Sequence, residues 1–242
     1  MIKVEFFFDA ISPYTFLAWR SLRAYRDVWR LRVEFRPIYL PGVVRGSGNE
    51  PPLAVEAKRR WMEEDIKRSV KWYGLEGFQG VPANFSERIT QSARVQRLLA
   101  TVVEDATLSD TLRWRVVDQT FTAYWLDKKN REGSTWVDLD DEFLRRICQE
   151  AGLSEERSKG LLEAAKNKEV LTINTEEAVK RGFFGSPTLV FYADELGRAS
   201  TENSFAIFGS DRFEQAAFLL NKKWLGPIPP VQTKAGMTSC KL

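Results

Sequence analysis

An α/β fold follows from three features of the chain. Residues 2–39 read strand, helix, strand; residues 52–180 read as helices only; the segment after 181 reads strand, strand, helix. A βαβ opening and a ββα close around a run of helices is the element order of a thioredoxin-like fold interrupted by an α-helical insertion. The expected organisation is a split thioredoxin-like domain over 1–51 and 181–230, a helical insert domain over 52–180 and a flexible C-terminal tail over 231–242.

The first run, IKVEFFF at 2–8, is apolar enough for a buried strand. The chain turns at Asp9 to Pro13 into YTFLAWRSLRAYRDVW, whose apolar residues recur at helical spacing, and LRVEFRPIY at 31–39 then alternates as a second strand ending in a Pro/Gly loop. The length between the two strands suits a parallel crossover. From Pro52 to Lys180 the segments PLAVEAKRRWMEEDIKRSVKWYG, SERITQSARVQRLLATVVED, SDTLRWRVVDQTFTAYWLDKKN, DLDDEFLRRICQEAG, SEERSKGLLEAAKN and NTEEAVKRG all read as helices. Several begin after Ser, Asp or Asn and end before Gly, as helix caps require. TLVFYA and SFAIFG then read as strands and DRFEQAAFLLNKKWLG as the last helix. The closing PIPPVQTKAGMTSCKL, rich in Pro and polar residues, reads as a loosely held tail.

Composition narrows the chemistry. The chain is 43% hydrophobic and 29% charged, and it has no apolar run of the ~18 residues a membrane span needs. Its charge of +3 comes from 36 basic and 33 acidic residues mixed along the sequence, with no block suited to nucleic acid. There is no histidine, which removes the commonest general base and metal ligand; serine-hydrolase and zinc-enzyme readings lose their basis, and no metal is expected. Cys148 and Cys240 form no CxxC pair and are expected as free thiols in a reducing compartment.

A strand-like run from Ile2 leaves no room for a signal peptide or transit sequence. Cys240-Lys241-Leu242 differs from the peroxisomal Ser-Lys-Leu address only by sulfur for oxygen. It points to a peroxisomal protein with an import receptor as partner, a mitochondrial or cytosolic location being the alternative.

The junction of first strand and first helix is Asp9-Ala10-Ile11-Ser12-Pro13-Tyr14-Thr15. Ser followed by Pro at the first helical position is a favoured helix start, so Ser12 reads first as an N-cap. In a thioredoxin-like fold the same place carries chemistry. Ser12 and Thr15 stand where a disulfide oxidoreductase has its two cysteines, so a thiol used here comes from a ligand. Ser186-Pro187, ahead of a strand, reads either as a cis-proline loop beside that helix or as an ordinary strand start. Gly-Ser210-Asp211-Arg reads either as a strand-to-helix cap or as a receptor for a charged ligand end. Eight Trp and sixteen Phe, Trp19, Trp61, Trp72 and Trp224 among them, read as core; those of the insert alternatively line an apolar pocket.

FFFDAISPYTFLAW, RGSGNEPP, FGSPTLVF and FGSDRFEQAAFLLNKKWLGPIPP resemble the kappa class of glutathione transferases, a DsbA-like branch of the thioredoxin fold, from about residue 3 to about residue 230. The bacterial 2-hydroxychromene-2-carboxylate isomerases are next in similarity. The resemblance implies glutathione as co-substrate, a small hydrophobic electrophile as partner, a homodimer and a role in detoxification, with peroxide reduction as a side activity. By the same resemblance Ser12 matches the catalytic serine, with Pro13 and Tyr14 beside it in the glutathione site. Asn49 matches an asparagine contacting the peptide, and Lys58 a lysine shortly downstream. Ser186, before Pro187, matches the residue whose backbone pairs with the cysteinyl part. Ser210 and Asp211 match the pair that holds the γ-glutamyl end. Ser186 departs from the larger apolar residue usual there, a change that a backbone contact survives.

The implied mechanism is physically sufficient. A cysteine thiol near pKa 8.5 is mostly protonated at neutral pH, and lowering it by two units takes about 2.7 kcal/mol. A hydrogen bond to a charged group supplies roughly 1.5–3 kcal/mol and a helix N-terminus roughly 0.3–1 kcal/mol. Ser12 is therefore expected as a donor to the thiolate, not as a nucleophile. Two other readings stay open: a glutathione-dependent isomerase, and a non-catalytic thioredoxin-like binding module.

Overall fold

In the computed structural model, which describes residues 1–230, a four-stranded sheet runs in the order β2-β1-β5-β6. Its strands are β1 (Ile2–Phe8), β2 (Leu31–Pro37), β5 (Thr188–Tyr192) and β6 (Phe205–Phe208). β1 pairs in parallel with β2 and antiparallel with β5, and β5 pairs antiparallel with β6. Cys240-Lys241-Leu242 and the expected tail lie outside the described residues.

β1 is central, which is why its sequence is almost continuously apolar. Val4, Phe6 and Phe8 enter the main core with Trp19, Phe35 and Phe121, while Phe7 packs on the opposite face with Ile38, Val43 and Ala178. Two charges interrupt the strand, Lys3 and Glu5; Glu5, buried, accepts from Arg181 at 2.7 Å, Tyr192 at 2.8 Å and Arg36 at 3.1 Å.

α1 (Pro13–Val28) makes the crossover, starting at an N-cap Ser12 with Pro13 at its first position. Between the sheet halves lie α3 (Glu56–Trp72), α5 (Ser92–Glu104), α6 (Asp110–Trp125), α7 (Asp141–Glu150), α8 (Glu155–Ala164) and α9 (Glu169–Lys180). Ser109, Asp140 and Ser154 cap α6, α7 and α8 through their side chains, as their sequence positions led one to expect.

Local patterning misread four places. The Pro/Gly loop after β2 is a helix, α2 (Leu40–Gly46), because it packs on α9: a Cβ on Gly46 would stand 2.9 Å from Val179 Cγ2, so only glycine allows the approach. The segment read as one helix from Ser86 breaks into α4 (Phe85–Arg88), a 3-10 turn at Ile89–Gln91, and α5, a break that aims Ser92 at Asp9. The stretch read as helices only holds a hairpin, β3 (Arg131–Glu132) and β4 (Thr135–Trp136), turning at Gly133 with φ +60°.

The last helix, α10 (Phe213–Leu219), ends earlier than its apolar pattern suggests, with Asn221 at φ +50°. The residues after it bind α1 instead: Tyr25 Oη donates to Gly226 O at 2.7 Å and accepts from Leu225 N–H at 2.8 Å, and Trp224 stacks on the Tyr25 ring.

Candidate functional site

The head of α1 meets the loop before β5. Ser12 is 5% exposed; its Oγ accepts from Thr15 N–H at 3.3 Å and donates to Ser186 O across 3.4 Å. The capping role read from sequence is therefore present. The donor side of the same hydroxyl is held only by a long bond, weak on geometric grounds.

The Ser186–Pro187 peptide bond is cis, as the cis-proline reading held. Ser186 Oγ lies 2.8 Å from Thr15 Oγ1 and accepts from Asp9 N–H at 2.9 Å. Ser12 and Thr15, standing where two cysteines would stand, thus both contact Ser186. The Ser186 N–H has no acceptor among the described residues, leaving a main-chain donor open beside the Ser12 hydroxyl.

Other singled-out residues gather around this pair. Gly209 N–H donates to Pro187 O at 3.0 Å, which sets Ser210 and Asp211 beside the cis-proline loop. Neither caps α10: its N-cap position is Arg212, with no side-chain cap bond, so the capping alternative for GSDR does not hold. Ser210 is buried and its carbonyl accepts from Tyr73 Oη at 2.8 Å, while Asp211 is exposed and pairs with Arg212. Asn49 Nδ2 donates to Phe184 O at 2.9 Å, which brings the loop after α2 to within two residues of Ser186. Pro13 is buried, and Tyr14 Oη donates to Asp65 Oδ2 at 3.0 Å. Burial, and then that carboxylate, holds the Tyr14 phenol above its usual range. Lys58 is exposed in the first turns of α3 and makes no ion pair among the described residues; no contact ties it to Ser12.

Three participants were not foreseen. Asp65 on α3 and Tyr73 at its C-cap, eight residues apart, bolt that helix to Tyr14 and Ser210; nothing in their local sequence marks them. Asp9 is fully buried directly before the α1 turn, with Oδ1 accepting from Ile11 N–H at 3.2 Å and Oδ2 from Leu40 N–H and Ser92 Oγ, each at 3.0 Å. Burial pushes its carboxyl up to about 6, the three donors only partly offsetting it. The signal available for Asp9 was its place: an acid at the strand end, three residues before Ser12-Pro13.

The aromatic reading divides. Trp19 is core, but Trp61 and Trp72 on α3 are 66% and 59% exposed, so helical spacing misassigned them. Cys148 is a buried free thiol that burial pushes up to about 12. It is far too basic to serve as a nucleophile.

Fold and site together define a thioredoxin-fold protein without a dithiol at its helix head. A family model for the DSBA-like thioredoxin domain matches residues 3–221. Glutathione S-transferase kappa 1 of Homo sapiens is 31% identical over 236 residues, covering 94% of each chain. The Rattus norvegicus protein of the same name is 27% identical over 234 residues, again covering 94% of each. Among solved structures, a 2-hydroxychromene-2-carboxylate isomerase superposes with a TM-score of 0.67 at 21% identity, covering 90% of this chain and 94% of its own. The chain belongs to the DSBA-like thioredoxin family and, within it, to the kappa class of glutathione transferases.

Proposed function

We propose that this protein conjugates glutathione to small hydrophobic electrophiles, reduces peroxides as a side activity, and works as a homodimer. The observation that carries the reading is the Ser12 hydroxyl: its acceptor side is occupied by Thr15 N–H, and its donor side is engaged only across 3.4 Å. Turning that O–H from the Ser186 carbonyl to a thiolate exchanges a weak neutral hydrogen bond for a charge-assisted one. The Thr15 N–H on the same oxygen occupies its acceptor side, so the hydroxyl is left to act as a donor, and that N–H belongs to the positive end of α1.

The rest of the tripeptide has partners of matching chemistry. The free Ser186 N–H and its carbonyl offer a main-chain edge to the cysteinyl residue. Asp211, exposed beside the buried Ser210, offers a carboxylate to the γ-glutamyl ammonium. Lys58, without a carboxylate partner among the described residues, is the cation for the glycyl carboxylate. Asn49, bound to Phe184 O, holds its loop against the ligand strand. Exposed Trp61 and Trp72 supply apolar surface on α3, the helix that Asp65 joins to Tyr14.

The test is ultraviolet titration of the bound thiol. The wild-type complex should show glutathione ionising about two units below its value in buffer, and Ser12→Ala should return most of that shift. Ionisation of the bound sulfur at its solution value would overturn the reading. Sedimentation at micromolar protein checks the dimer.

A further inference from the structure

Asp9 is an acid in the protein interior with no cation paired to it among the described residues. Among the described residues its carboxylate meets the main-chain N–H groups of Ile11 and Leu40 and the Ser92 hydroxyl, and no others. The groups around it are Tyr39 ahead of α2, Tyr124 on α6, Ser92 and Gln96 on α5, Ser12 at the N-cap of α1 and Thr15 on that helix, and Ser186 of the cis-proline loop. Among these described residues none is Lys or Arg, and the titratable ones are the two tyrosines, whose phenols burial and then the Asp9 charge push up. The Tyr124 hydroxyl is buried without a hydrogen-bond partner among the described residues.

Asp9 also builds the turn that carries the site. Ser12 N–H donates to Asp9 O at 3.1 Å, and Asp9 N–H donates to the Ser186 hydroxyl at 2.9 Å. A thiolate on Ser12 would therefore be a second anion at the same helix end. Two like charges there disfavour each other, and their protons come off as a coupled pair.

We propose that Asp9 is a proton-coupled positioning residue: when glutathione binds as the thiolate, Asp9 takes up a proton, so binding exchanges one acidic site for another. The inference rests on the glutathione reading above. The proton leaves the ligand sulfur for solvent, one enters the carboxyl from solvent, and no other bond changes. Burial supports the exchange, since it already brings Asp9 to about 6, within reach of neutral pH. The neutral acid keeps two of its acceptor bonds, and its own O–H becomes a donor in a region where the Tyr124 hydroxyl lacks a partner among the described residues.

The experiment is calorimetric titration of glutathione at pH 7 in two buffers of unlike ionisation enthalpy, which counts protons released. Wild type should release about half a proton, Asp9→Asn close to one, and the thiol in Asp9→Asn should titrate about one unit lower. S-Methylglutathione, which has no ionisable sulfur, gives a test on the wild type alone. The infrared difference between the glutathione and S-methylglutathione complexes should contain a protonated-carboxyl band. Equal proton release and equal thiol pKa in wild type and Asp9→Asn, or no carboxyl band, would overturn the proposal. Wild type that fails to bind glutathione at all overturns the functional reading first, an outcome separate from two proteins that bind with identical protonation.

Discussion

The Tyr73 hydroxyl donates to the carbonyl of Ser210 at 2.8 Å, joining the C-terminal end of α3 to the corner that carries Asp211. Tyr73 is 6% exposed, so the bond is shielded and the carbonyl has no easy substitute partner. Tyr73→Phe removes the donor and keeps the ring. If Asp211 receives the γ-glutamyl end, KM for glutathione should rise about 5-fold to 10-fold, the equivalent of one buried hydrogen bond, while kcat changes little. Steady-state kinetics with varied glutathione check this.

Ser12→Ala should act on the other parameter. Losing a hydrogen bond to a charged group costs about 1.5–3 kcal/mol of thiolate stabilisation, which lowers turnover at neutral pH roughly 10-fold to 150-fold. The helix also loses its side-chain cap, worth about 1 kcal/mol. Raising the pH should recover much of the lost rate, because bulk hydroxide then ionises the thiol that the alanine variant leaves protonated. A rate deficit that stays constant from pH 6 to pH 9 would count against a donor role.

What could be read from the sequence divides by the distance over which each feature is determined. The Ser12-Pro13 helix start and the apolar run of β1 are local and were legible. α2 was not, since Leu40–Gly46 is helical against α9, with Gly46 facing Val179 far along the chain. Trp61 and Trp72 carry a spacing that names a helix face but not what covers it. Asp9 looked like a turn residue because the groups that bury it, Leu40 and Ser92, are 31 and 83 residues away.

Glu5 should govern the acid limb of stability. Burial alone would push its carboxyl up, but hydrogen bonds from Arg181 and Tyr192, the Arg181 charge and the Arg36 bond outweigh this and hold it at about 2. A carboxyl depressed from 4.5 stabilises the fold fully above pH 4.5 and loses that contribution as pH falls toward 2. Glu5→Gln should cost about 1–3 kcal/mol at pH 7, leaving Arg181 and Arg36 without their shared carboxylate. Across pH 4.5 to 2 its stability should fall less steeply than that of the wild type, as urea denaturation at several pH values would show.

Asp9 should have the opposite sign. Its carboxyl is raised from 3.8 to about 6, so the folded state binds the proton more tightly than the unfolded chain. Stability from this group is greatest below pH 3.8, declines as pH rises through about 6, and is level above. A shift of this size corresponds to roughly 3 kcal/mol between the two plateaus. Asp9→Asn carries no such dependence, whatever constant cost its amide adds among the Ile11, Leu40 and Ser92 donors. The stability difference, variant minus wild type, should therefore move in favour of the variant by roughly 2 kcal/mol between pH 4 and pH 7, most of the plateau-to-plateau change. A difference that stays flat over that interval would mean that the buried carboxyl does not titrate there, and the coupling to the glutathione thiol would go with it.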